Sequence, residues 1–150
     1  MNNMVNLKYF SCQNFEDDTG KLSGTLPSLE NLVFLKDLYL DDNELTGSIP
    51  KNFLKHSAST DAPVTIGLMR NNITGTIPKE LGQFQKLQLD IVENKIDSIP
   101  KELCKMNQWM AGTVEQFGCD AILCPKGSYN DVGRQDSKGL PCVKCPNGEE

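Results

Sequence analysis

The amino-acid sequence predicts a repeat solenoid of the α/β type. Short parallel strands should form its concave side, irregular or 3-10 returns its convex side, and a small disulfide-rich segment its C-terminal end. Three observations predict this. A short motif ending in proline returns at near-constant spacing. A strand signature with an asparagine at a fixed offset recurs in phase with it. Five of the six cysteines (Cys104, Cys119, Cys124, Cys142 and Cys145) crowd into the last third of the 150 residues, leaving Cys12 apart.

Leu22-Ser23-Gly24-Thr25-Leu26-Pro27 is followed by Leu45-Thr46-Gly47-Ser48-Ile49-Pro50, then Ile73-Thr74-Gly75-Thr76-Ile77-Pro78, then the shorter Ile96-Asp97-Ser98-Ile99-Pro100. The prolines at 27, 50, 78 and 100 are spaced by 23, 28 and 22 residues, within the ~20–29-residue period of a solenoid whose unit is one strand and its return. The second unit reads Leu35-x-x-Leu38-x-Leu40-x-x-Asn43-x-Leu45; the third keeps Ile66-x-Leu68-x-x-Asn71-x-Ile73, and the fourth Leu89-x-Ile91-x-x-Asn94-x-Ile96. Alternate strand residues point to opposite faces, so Leu38 and Leu40, Ile66 and Leu68, and Leu89 and Ile91 should point inward.

After each strand the backbone turns a corner inside the coil and leaves amide groups without ladder partners. A carboxamide donates and accepts at once, so Asn43, Asn71 and Asn94 are expected to stack as a ladder that satisfies them. Gly47 and Gly75 permit a tight backbone path. The Ile-Pro pairs then bury one more apolar side chain, and proline stops the strand from continuing. In the return Lys79–Phe84, Leu81 and Phe84 should turn inward. Unit one departs from the pattern: Gly20 stands at the asparagine position, with extra residues at Glu16–Thr19. Unit three is preceded by an insertion, His56–Pro63, and unit four drops the glycine.

The Asn-x-Leu-Thr-Gly-x-Ile-Pro arrangement resembles the plant-type leucine-rich repeat, found in receptor-like ectodomains and secreted inhibitors of plants and some algae. The resemblance covers roughly residues 4–118, most specifically 35–100. It implies a right-handed superhelix with a parallel concave sheet and a second short sheet on the Thr-Gly side.

Beyond Pro100 the periodicity fades. A solenoid's last coil exposes its core, and a cap must cover it. Trp109, Met110, Val114 and Phe117 are the available apolar cover, and a Cys104–Cys119 bridge would pin them down. The Cys124-Pro125-Lys126-Gly127-Ser128-Tyr129 and Cys142-Val143-Lys144-Cys145-Pro146-Asn147-Gly148 stretches resemble the short cysteine-rich modules of extracellular receptor stalks (ephrin-receptor-like or growth-factor-receptor-like). That resemblance implies a Cys124–Cys142 disulfide and a partner for Cys145 beyond residue 150. The spacing also admits a rival: Cys119-x4-Cys124 and Cys142-x2-Cys145 come close to a four-cysteine zinc site, as in an intracellular zinc-stabilised scaffold. A redox role for Cys142-x-x-Cys145 has no βαβ pattern around it. The expected organisation is leucine-rich repeats at 4–103, a cap at 104–123 and an incomplete cysteine-rich module at 124–150.

Strand positions that point outward on the concave side are the natural binding surface of such a solenoid. They are Tyr9, Ser11 and Gln13 in unit one; Asp37, Tyr39, Asp41 and Asp42 in unit two; Thr65, Gly67, Met69 and Arg70 in unit three; Gln88, Asp90, Val92 and Glu93 in unit four. Tyr39, Met69 and Val92 are expected to be exposed and to anchor a partner, and the carboxylates Asp41, Asp42, Asp90 and Glu93 give the face an acidic cast. Catalysis is not expected, because an open sheet offers no closed pocket to raise a carboxylate pKa. His56, the only histidine, lies in the insertion with no nucleophile motif beside it. Asn72-Ile73-Thr74 is an N-glycosylation sequon whose Asn72 should face solvent. Cys12 should be a buried free thiol.

The expected function is therefore non-catalytic recognition of a protein, peptide or cell-wall glycan, without cofactor or metal. A secreted enzyme inhibitor is the alternative within binding proteins. The net charge of −5 provides no basic footprint for nucleic acid. No apolar run approaches the ~20 residues of a bilayer span, so membrane attachment would come from segments outside this chain. The start, Met1–Asn6, is not a signal peptide. Together with the half-module at 150 and the unpartnered apolar residues Leu7, Phe10, Phe15 and Leu22, it leads to the expectation of a piece of a larger extracellular or cell-surface protein. The oligomeric state and the ligand are not legible.

Overall fold

The computed structural model describes residues 6–14 and 20–146. Met4, Phe15, the extra residues Glu16–Thr19 and the Asn147-Gly148 end of the last cysteine stretch lie outside the described residues. In chain order the described strands are β1 (Tyr9–Ser11), β2 (Ser23–Thr25), β3 (Asp37–Tyr39), β4 (Glu44–Gly47), β5 (Pro63–Gly67), β6 (Asn72–Thr76), β7 (Lys86–Asp90), β8 (Lys95–Ser98), β9 (Ser128–Tyr129) and β10 (Val143–Lys144).

The odd-numbered strands β1-β3-β5-β7 form one parallel sheet and the even-numbered β2-β4-β6-β8 a second. Each coil thus contributes one strand to each sheet. The register of the first sheet places equivalent positions side by side: Phe10 beside Leu38, Leu38 beside Ile66, Ile66 beside Leu89. Leu38, Ile66 and Leu89 of this row, with Leu40, Leu68 and Ile91, build the core, joined by Ile49, Ile77, Leu81 and Phe84 from the return sides. Burying one such side chain contributes about 1.5–3 kcal/mol, and stacking coils buries them in continuous rows. Gly47 (φ 73°) shows why the motif needs glycine. A Cβ there would sit 3.0 Å from the Thr25 Cγ2 of the previous coil, on backbone that already disfavours side chains.

The insertion His56–Pro63 is tied to both neighbouring coils. Ala58 N–H donates to Val33 C=O and Gln85 N–H to Thr60 C=O, each at 2.8 Å, while His56 is exposed. Among the described residues β1 and β2 have a neighbouring strand on one side only, and there Phe10 and Leu22 are exposed and Leu7 is half-buried. Cys12, expected to be buried, is half-buried for the same reason.

At the other end, 3-10 turns at Leu103–Lys105, Trp109–Gly112 and Gly118–Ala121 surround a short helix, α1 (Thr113–Phe117). Trp109 is fully buried, and its indole Nε1–H donates to Phe84 C=O at 2.7 Å. Met110 Sδ accepts the Leu89 N–H, where another coil would supply a carbonyl. The Cys104–Cys119 disulfide ties the first turn to the last. Beyond it, β9 and β10 pair antiparallel and the Cys124–Cys142 disulfide closes the segment. Asn130 Nδ2 donates to both Arg134 C=O and Leu140 C=O, 2.8 Å each.

Candidate functional site

The corner after each first-sheet strand organises the surface. Asn71 Nδ2 donates to Leu40 C=O of the preceding coil at 2.9 Å and to Leu68 and Met69 C=O of its own, while its Oδ1 accepts Leu45 N–H at 3.0 Å. Asn43 repeats this with Cys12 C=O and Leu22 N–H, and Asn94 with Leu68 C=O and Ile73 N–H. Each carboxamide therefore serves the coil before it as well as its own.

Just ahead of each asparagine stands a residue in the left-handed region: Asp42 (φ 60°), Arg70 (φ 51°) and Glu93 (φ 56°). The three form a row across the coils. Arg70 donates from Nε to Asp42 and from Nη2 to Asp42 Oδ2 at 2.8 Å, and its Nη1 lies 3.9 Å from Glu93 Oε1. The Arg70 hydrogen bonds, against a smaller desolvation effect, hold the Asp42 carboxyl below its ordinary value and raise Arg70 above its own.

Three outward positions, Asp41, Gly67 and Val92, are buried, and Tyr39 and Met69, expected to be exposed, are half-buried between neighbouring coils. Asp41 is 4% exposed. Its carboxylate accepts from Gln13 Nε2 and from Met69 N–H, and Gly67 of the next coil leaves it room: a Cβ there would meet Asp41 Oδ2 at 2.6 Å. Val92, expected as an exposed anchor, is 5% exposed because Gly133 lies on it. Beside it Arg134 Nη1 pairs with Asp90 Oδ2 at 3.0 Å. The C-terminal segment also reaches the second sheet, where Lys126 Nζ lies 3.4 Å from Asp97 Oδ1. The acidic cast expected of this face is thus offset: Asp42 and Asp90 face arginines and Asp41 is enclosed.

The open part of the face lies across units one to three. Tyr9 (58% exposed) and Tyr39 stand side by side with ring centroids 5.8 Å apart, next to exposed Ser11 and half-buried Asp37, Thr65 and Met69. Gln88 and Glu93 are exposed in unit four. Asn72 is exposed on β6, in the other sheet. Three of the four thiols of the zinc arrangement, Cys119, Cys124 and Cys142, are in disulfides, while Cys145 is a half-buried free thiol.

Gly133 belongs to the C-terminal cysteine-rich pattern, but neither its place on Val92 nor the Arg134–Asp90 pair is legible in the sequence. Both contacts join residues far apart along the chain, outside the repeat period; the only signal was a glycine–arginine step inside a cysteine-bounded loop.

The Leucine Rich Repeat family model matches residues 34–56, which contain β3 and β4. Among curated proteins, none matches the chain. The match places a leucine-rich repeat, a protein-interaction module, at the second unit, and the two parallel sheets that carry its strands into neighbouring coils fit a repeat solenoid built on that unit.

Proposed function

We propose that the protein is a non-catalytic recognition module that binds a protein or peptide partner through the outward face of β1, β3 and β5. This face would be the concave side of a right-handed coil, the hand that parallel crossovers adopt. One observation carries the reading: Tyr9 and Tyr39 stand side by side on the outward face of a parallel sheet, and half-buried Met69 follows two residues past Gly67, the register partner of Tyr39. Aromatic residues and methionine are the types enriched in protein interfaces, because they offer large contact area at low entropic cost. The disulfides Cys104–Cys119 and Cys124–Cys142 support an oxidising compartment. An extracellular or cell-surface protein, carrying a glycan at exposed Asn72 and a stalk-like module at its C-terminal end, agrees with all of these features. The Asn72 glycan would project from β6, in a different sheet from Tyr39.

The test places a photoreactive phenylalanine analogue at position 39, and as a control at exposed Thr46 on β4, in contact with surface and secreted proteins of the source organism. A discrete protein adduct at 39 and none at 46 is expected, with Tyr9→Ala weakening its formation at least about tenfold. No adduct at 39, or equal adducts at both positions, overturns the reading.

A further inference from the structure

The outward row of β7 is divided in two. Asp90 and Val92 are taken by Arg134 and Gly133, whereas Lys86 and Gln88 are exposed. In front of these two the cap rises as a second wall, and a cleft runs between them. Gln88 on one side and Asn107 and Gln108 on the other bring three exposed carboxamides to the cleft, with Ala111 as an apolar contribution to its lining. Among the described residues none of these carboxamides has a hydrogen-bond partner for its side chain. Lys86 on the sheet side and Glu115 on the α1 side carry opposite charges, and neither enters an ion pair with a described residue.

This combination has a chemical complement. Carboxamides donate and accept as peptide groups do, so three of them lining the cleft match the main chain of an extended polypeptide. Opposite charges on the two walls set a polarity for what lies between them, since reversed ligand charges would meet like charges. We propose that the cleft is a peptide-binding subsite. It takes an extended segment that carries an acidic side chain toward Lys86 and a basic one toward Glu115. The subsite adjoins the Tyr9–Tyr39 face but is argued from its own side chains, so either can stand without the other.

The test selects peptides from a random-sequence library displayed on phage against the intact protein. Binders are measured on the wild type, on the double variant Lys86→Glu/Glu115→Lys, and on Tyr39→Ala. The double variant exchanges two exposed charges at constant net charge, a surface change expected to alter stability little. The expected result is a class of peptides with both an acidic and a basic residue. Exchange of the wall charges weakens them about tenfold, exchange of the peptide's own two charges restores binding to the variant, and Tyr39→Ala leaves them unchanged. Binders that all ignore the wall exchange and all require Tyr39 overturn the subsite and leave the wider recognition face standing. A selection that yields no charge-sensitive class overturns the subsite as well.

Discussion

At the scale of single residues, the corner asparagines carry more than their size suggests. Asn71 is 7% exposed and holds groups of two coils at once. Asn71→Ala strands the Leu45 N–H, while Leu40 C=O keeps Asn43 Nδ2 and Leu68 C=O keeps Asn94 Nδ2. At roughly 1–3 kcal/mol for one stranded buried donor, the loss should be about 2 kcal/mol of unfolding free energy, measured by urea denaturation. Asn71→Asp should not rescue it. The acceptor for Leu45 N–H survives, but the donor side becomes a second oxygen facing carbonyls. Asp41 shows a different residue-scale effect. Its place in the outward row reads as solvated, yet Gln13 from the coil before and the Met69 N–H from the coil after enclose it. Gly67, in the neighbouring outward position, was the one visible hint that something needed the space.

At the scale of elements, the C-terminal segment is fixed against the solenoid where Gly133 meets Val92. A Cβ on Gly133 would lie 2.3 Å from Val92 Cγ1, at a φ of 72° that already disfavours alanine. Gly133→Ala should therefore push this loop off β7, at a cost of about 1–3 kcal/mol from overpacking and backbone strain. Hydrogen exchange checks it. The Cys124 N–H, bonded to Gly133 C=O, and the Gln135 N–H, bonded to Asp120 C=O, should exchange faster, while the amides of β5 keep their protection. The strands themselves were legible in the sequence because their signal is local and periodic: inward Leu38, Ile66 and Leu89 fall in register as the repeat requires. Burial of Val92 was not legible, because its cover arrives from a segment outside the period. The left-handed run Met110, Ala111 and Gly112 in the cap was equally silent, since two of those three residues usually avoid that region.

At the scale of the whole molecule, the array leans on its capped end. Trp109, Met110 and Val114 cover the last coil, and the Cys104–Cys119 disulfide, spanning 15 residues, restrains the segment that carries them. The double variant Cys104→Ser/Cys119→Ser should lose about 3 kcal/mol on the loop-entropy estimate. Because neighbouring coils are stabilised through their shared interfaces, the loss should appear in the first cooperative urea transition and not as an isolated event in the cap. Among the candidate binding residues, Tyr9 and Gln88 are exposed and Tyr39 is half-buried. The sequence could not show which outward positions the molecule fills with its own chain.

The asparagine bonds have a further consequence for how such a chain can change over generations. Each carboxamide grips the coil behind it through groups that every coil presents in the same place: a strand-end carbonyl and the N–H two residues beyond the asparagine position. The joint between any two coils is therefore interchangeable with the next. Duplication or deletion of one whole unit leaves every remaining joint complete, so the array can lengthen or shorten by gene-level copying while its two distinctive ends are kept.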